Sequence, residues 1–82
     1  MANEIQLFHR IADLDSARVR RLGIDMKIQA LEFRNLDISE SAAGELRAGI
    51  GRVEVPVVKD PEGRWHIGFQ QIESYFLGLK RV

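Results

Sequence analysis

Asp13-Leu14-Asp15-Ser16 brings two carboxylates and a hydroxyl together in one short stretch. Paired carboxylates can divide the work of general acid and base, and a serine can attack as a nucleophile when a base adjoins it. Side chains two residues apart near a helix start diverge in direction, however, so Asp13 and Asp15 do not converge on one substrate atom. The plainer role for all three residues is helix capping, because their oxygens accept hydrogen bonds from the unpaired first-turn amides. His9 and His66 are the only imidazoles. They fall on different predicted strands without a cysteine or a spaced third ligand, which makes packed or solvent-facing histidines the expectation and a metal site not. The chain has no cysteine, and this removes disulfide staples, thiolate metal ligands and thiol nucleophiles together. Glycine-rich phosphate loops, nucleophile elbows and zinc patterns do not occur. Trp65, Phe69, Tyr75 and Phe76 gather late in the chain at strand and helix spacing, which reads as core.

The composition limits what these residues can serve. With 82 residues, 45% apolar and 29% charged, the chain suits one compact domain spanning residues 1–82. Twelve basic residues balance twelve acidic ones, so no positive field draws in a phosphate backbone or an anionic membrane, and neither nucleic acid nor membrane is an expected partner. The apolar stretches are only a few residues long, whereas a membrane-spanning helix needs ~20 and a secretory signal a run of ~7–15. A soluble, cytoplasmic protein is the expectation.

The elements that must position the candidate residues follow from apolar spacing. Glu4 to His9, with Ile5, Leu7 and Phe8, predicts a first strand. A helix should start near Asp15; Val19, Leu22 and Met26 share one face of it, while Arg18, Arg20, Arg21 and Lys27 form a solvated basic face. Gly23 could end this helix or sit inside it, and continuation to about Ile28 is preferred. Leu31, Phe33, Leu36 and Ile38 predict a second strand running into Asp37-Ile38-Ser39, where Ser39 or Ser41 caps a short helix buried through Ala42, Ala43 and Leu46. Gly49-Ile50-Gly51 stops that helix. Val53, Val55, Val57 and Val58 favour a strand, although Pro56 among them cannot donate a ladder hydrogen bond. Asp60-Pro61-Glu62-Gly63 predicts a turn and Arg64 to Gly68 the returning strand of a hairpin. Ile72, Tyr75, Phe76 and Leu79 stripe a closing helix.

The resulting order, β-α-β-α-β-β-α in about eighty residues, resembles the minimal thioredoxin fold of the glutaredoxins. Val53-Glu54-Val55-Pro56-Val57-Val58 is similar to the segment where that family carries a cis-proline before the third strand. Trp65-His66-Ile67-Gly68-Phe69 is similar to the end of the fourth strand in small glutaredoxin-like electron donors. The resemblance covers nearly the whole chain and is most specific from Val53 to Leu77. It implies a three-layer α/β/α domain with a four-stranded mixed sheet, the first two strands parallel and the last two a hairpin. It also implies where a Cys-x-x-Cys or Cys-x-x-Ser motif would stand: on Asp13-Leu14-Asp15-Ser16, or on Ala12 to Asp15 in a register shifted by one. Neither contains sulfur, and a carboxylate can neither attack a disulfide nor carry its electrons, so thiol–disulfide exchange is excluded by chemistry.

What the resemblance leaves is a binding groove. It implies that the main chain of Val55, ahead of Pro56, contacts a bound peptide. Arg10 would stand where glutaredoxins place a lysine beside the glycyl carboxylate of glutathione, while Gln70 or Gln71 replaces the acidic residue that holds the γ-glutamyl amine. Ser16-Ala17-Arg18-Val19-Arg20 is also similar to the first helix of serine-type glutathione S-transferases, in which the serine stabilises a thiolate at a helix N-terminus. Two functions follow as expectations. The first is a non-catalytic module that needs no cofactor and binds a protein or peptide beside Pro56 and the Asp13–Ser16 helix start. The second is a glutathione-binding or transferase-like protein using Ser16 in place of the thiol.

Overall fold

A computed structural model describes residues 4–80. The elements are β1 (Ile5–His9), α1 (Leu14–Asp25), β2 (Leu31–Asn35), α2 (Glu40–Ile50), β3 (Val57–Lys59), β4 (Trp65–Ile67) and α3 (Phe69–Leu79). They run in the expected order. The four strands form one sheet ordered β2-β1-β3-β4; β1 and β2 are parallel, whereas β3 runs antiparallel to β1 and to β4.

Leu7 and Phe8 sit side by side in the sequence, and both are completely buried. Successive strand residues face opposite sides of a sheet, so a central strand covered on both sides reads as a continuous apolar run. Leu7 joins Ile5, Val19, Val58, Ile72 and Phe76 in the core under α1 and α3. Phe8 joins Leu36, Ala42, Leu46 and Val57 in the core under α2. Val57 and Val58 repeat this division on β3. Two apolar layers on one sheet give the α/β/α architecture, with β1 and β3 between them. The late aromatics divide in the same way: Trp65 packs against the α2 core, while Phe69 and Tyr75 pack against the other with the buried Phe76.

Several boundaries differ from the sequence reading, each for a local reason. Asp13, not Ser16, is the N-cap of α1, its carboxylate accepting from the Ser16 amide at 2.7 Å. The helix ends at Asp25 rather than about Ile28, because Lys27 takes a left-handed φ of 54°. The Ile28 amide then donates to the Gly23 carbonyl and the Lys27 amide to that of Ile24, each at 3.0 Å. This is a Schellman closure, and it returns Ile28 to the core as the apolar residue beyond the cap. Gly23 is interior and buried. A Cβ there would lie 2.8 Å from Leu31 Cδ2, so an alanine at this position would have to displace the Leu31 side chain.

β2 stops at Asn35 instead of running on to Ile38. The Asn35 side-chain oxygen takes the Asp37 amide at 2.8 Å and its carbonyl takes the Ile38 amide at 3.2 Å, which turns the chain out of the ladder. Ile38, beyond that turn, is consequently exposed, and Phe33 within β2 is exposed as well. Ser39 caps α2, and Gly51 closes it in the left-handed conformation. β3 begins only at Val57, since Pro56 has no amide hydrogen to give a ladder; Val53 and Val55 pack against the α2 core from the preceding loop. The Val55–Pro56 peptide bond is cis. In the β3–β4 turn the Asp60 carboxylate accepts from the amides of Glu62 and Arg64 and from His66 Nε2, at 3.0, 2.9 and 2.9 Å.

Candidate functional site

β1 ends where α1 begins and where β3 starts. In the β1–β3 register Phe8 lies opposite Val57, so antiparallel continuation sets Val55 across from Arg10. The Asp13–Ser16 start of α1, Arg10 and the Val55–Pro56 segment therefore share one end of the sheet.

The short connection between β1 and α1 is held from three directions. The Ser16 hydroxyl accepts from the Arg10 amide at 3.2 Å. Arg20 reaches back along α1 to donate to the carbonyls of Arg10 and Ile11, at 3.1 and 3.4 Å. Asp37, just past β2, accepts from the Ile11 amide at 2.9 Å and from the Arg10 guanidinium at 3.2 Å. The Ile11 amide is the main reason the Asp37 carboxyl titrates below its ordinary range, assisted by Arg10 and opposed by partial desolvation. Arg10 is thus turned toward Asp37 and the loop after β2.

Ser16 is fully buried. Its hydroxyl is occupied by the Arg10 amide and its own amide by Asp13, so it serves as an internal tie of the loop. Asp15 pairs with Arg18 at 3.2 Å, and Leu14 projects into solvent with 75% exposure. Ile11 and Ile38, either side of Asp37, are 59% and 84% exposed. The motif position therefore sets an exposed Leu14 beside the Asp15–Arg18 ion pair over a buried Ser16, with the exposed Ile11 just before it. Pro56 is buried and Val55 half-buried. Among the described residues, neither the amide nor the carbonyl of Val55 has a hydrogen-bond partner.

Gln70 adjoins this end, since the Gly68 amide two residues before it donates to the Pro56 carbonyl at 3.0 Å. It lines a shallow depression between the starts of α1 and α3 with Asp15, Arg18, Phe69, Gln71 and Glu73. Arg18 covers the Phe69 ring at 4.1 Å, and Gln71 accepts from the Ile67 amide at 2.8 Å. The structure gathers Arg10, Val55, Pro56 and Asp13–Ser16 at one end and puts Gln70 in the adjacent depression.

Sequence reasoning missed Arg20 and Asp37, the two residues that clasp the loop, and it placed Arg20 on a solvated basic face. Arg20 is half-buried, with its Nη1 bonded also to His9 Nδ1 at 3.0 Å. Nothing in its spacing sets it apart from Arg18 or Arg21. His9 is buried and edge-on to Phe33, with ring centroids 5.5 Å apart. Because Arg20 donates to Nδ1, the proton sits on Nε2, which has no partner among the described residues. Burial first, and then the neighbouring Arg20 charge, push the His9 pKa below its ordinary 6.5, against a smaller opposing effect of Asp37. His9 and His66 sit in separate places, and no group of three or more potential metal ligands occurs among the described residues.

An α/β/α layering on a β2-β1-β3-β4 sheet, with the family's motif position at the start of α1 and a proline before β3, is the glutaredoxin-type thioredoxin fold. The solution structure of the dithiolic glutaredoxin 2-C-Grx1 from the pathogen Trypanosoma brucei brucei is similar, with a TM-score of 0.73 at 16% sequence identity, covering 95% of this chain and 81% of that one. No protein-family model and no curated protein matches the chain. The likeness is one of fold, and this chain has no cysteine with which to share that protein's dithiol chemistry. No helix among the described residues is long and apolar enough to cross a membrane.

Proposed function

We propose that the chain is a non-catalytic glutaredoxin-fold module that binds an extended protein or peptide segment across the end of the sheet formed by Ile11, Leu14 and Val55. One observation carries the reading: among the described residues the Val55 amide and carbonyl are without hydrogen-bond partners, at the same end as a 75%-exposed Leu14. An extended segment could satisfy both main-chain groups by strand-like pairing while covering the apolar side chains. The interior at this end is closed by Ser16, so the partner is met by surface complementarity and no bond to it is made or broken.

The glutathione reading fits the arrangement less well. A buried hydroxyl that already accepts an amide hydrogen has no path to a thiol, and the Arg10 guanidinium is engaged by Asp37.

Peptides selected from a displayed library against the full chain provide the test. A bound peptide should shift the amide resonances of Leu14, Val55 and Ile11. Leu14→Asp should weaken binding at least tenfold, because burying a leucine contributes about 1.5–3 kcal/mol and 1.4 kcal/mol is a factor of ten. Selected peptides that bind Leu14→Asp equally well and leave Val55 unshifted would refute the proposal. Shifts at Arg10, Ser16 and Val55 with millimolar reduced glutathione would favour the alternative.

A further inference from the structure

We propose that β2 is a self-pairing edge, through which two copies of this chain join their sheets antiparallel about a two-fold axis at Phe33. β2 lies at the end of the sheet and, among the described residues, pairs on one side only, with β1. The phase of that ladder is set at both ends: the Ile5 amide donates to the Ala30 carbonyl and the Leu36 amide to the His9 carbonyl. In a parallel ladder alternate residues turn both main-chain groups to the same neighbour. Ala30, Glu32, Arg34 and Leu36 therefore face β1, and the amides and carbonyls of Leu31, Phe33 and Asn35 face outward. Of these only the Asn35 carbonyl has a partner among the described residues, the Ile38 amide.

Proteins usually blunt such an edge with proline, a bulge or charged side chains, and the two charges on β2, Glu32 and Arg34, are of opposite sign. β2 has no proline and is paired over its whole length without a bulge. The opposite edge is different: β4 is short, and Gln71 occupies its Ile67 amide.

The charges on β2 select the partner. Outward bonding groups at 31, 33 and 35 allow antiparallel self-pairing centred on residue 32, 33 or 34. Centring on 32 sets glutamate against glutamate, and centring on 34 sets arginine against arginine; like charges directly opposite are destabilising. Centring on Phe33 places Glu32 of each copy opposite Arg34 of the other, twice, and sets the two Phe33 rings side by side. Glu32 forms no ion pair among the described residues. Arg34 bonds Glu45 and Gln6 through its terminal nitrogens, which leaves Nε for a second carboxylate. On the other face of the strand Phe33 is 47% exposed and Ile24 66%, beside a shallow depression that they line with Ile28 and Leu31. The two-fold would cover this apolar surface with its own copy. Such an isologous interface closes at two subunits, because each copy's β2 is then consumed.

Sedimentation velocity of the full chain from micromolar to millimolar concentration tests this. The wild type should pass from monomer to dimer, with slowed amide exchange at Leu31 and Phe33 in the dimer. Glu32→Arg should weaken association at least tenfold, since two attractive pairs become repulsive. Arg34→Glu should do the same, and an equimolar mixture of the two variants should associate again, because their strands set arginines opposite glutamates. Circular dichroism establishes that each variant is folded. Should Arg34→Glu not fold without its Glu45 pair, Glu32→Arg against wild type and the exchange of Leu31 and Phe33 decide the matter. A wild type that stays monomeric at millimolar concentration, or a Glu32→Arg variant that dimerises like wild type, overturns the proposal. So does capture of a different protein's strand by β2 while the chain itself remains monomeric.

Discussion

Replacing Ser16 by cysteine tests the geometry of the site directly, because the thiol would be placed in the motif segment and yet out of reach. Ser16 has no exposed surface, whereas Leu14, two residues away, is 75% exposed. A thiol at 16 can meet an alkylating reagent only when the first turn of α1 opens. That opening breaks the Asp13 cap, which contributes about 1 kcal/mol, and the contact of residue 16 with the Arg10 amide, which contributes another ~1 kcal/mol. Re-exposing buried surface adds to both. A total of roughly 2–3 kcal/mol corresponds to labelling about 30–150-fold slower than at an open site, and opening by global unfolding would slow it much further. Iodoacetamide labelling of Ser16→Cys and Leu14→Cys, followed by mass spectrometry in native buffer and in urea, measures this. The two rates should agree in urea and differ at least thirtyfold without it. Native rates within a few-fold of each other would mean that Ser16 is accessible, and the description of a sealed interior would be wrong.

Other expectations rest on single contacts. His9 has its pKa lowered in the fold, so between that value and its ordinary 6.5 the unfolded chain binds a proton that the folded chain does not. Stability should therefore fall as pH drops below about 6.5, and His9→Gln should flatten urea midpoints measured from pH 7 to pH 5. Asp60→Ala leaves two amides and His66 without their acceptor and should cost roughly 3 kcal/mol at about 1 kcal/mol per bond, read as the loss in urea unfolding free energy at pH 7. The Asp60 carboxyl is also held below its ordinary 3.8; desolvation raises it, but the His66 bond and the Arg64 and Glu62 amides together outweigh that. Its stabilisation should thus be present above that ordinary value and fade as pH falls below it. Gly44→Ala, with open space around the new methyl, should stabilise α2 by about 0.5–1 kcal/mol. Gly49→Ala drives the same methyl into the Trp65 ring and should destabilise by about 1–3 kcal/mol; thermal unfolding of the pair gives opposite signs.

The fold was legible because its signals are local and redundant. Leu7-Phe8 and Val57-Val58 mark strands buried on both faces, Gly51 closes a helix, and Asp60 to Gly63 makes its turn with its own side chain. Boundaries failed where one residue broke the pattern without a signal. Lys27 adopts a left-handed conformation that its type does not advertise, and Asn35 ends a strand whose apolar spacing continues to Ile38. The site was legible as a location and not as a set of contacts. Asp13 and Ser16 are both capping types, and sequence could not choose between them; the choice depends on Ser16 being drawn beneath the Arg10 amide by the tertiary fold. Arg20 reaches out of its helix to the end of β1 and the loop after it, and Asp37 reaches the same loop from beyond β2, so periodicity within one element has no access to either.

The clasp formed by Arg20 and Asp37 fixes more than one loop. Ile11 is presented to solvent by a backbone pinned on one flank by a cation from α1 and on the other by an anion from beyond β2. The partner proposed above would meet a rim already set in shape, with little conformational freedom left to surrender on contact. On that proposal the rim would discriminate by fit, accepting a surface that matches its contour and penalising one that would need it to yield.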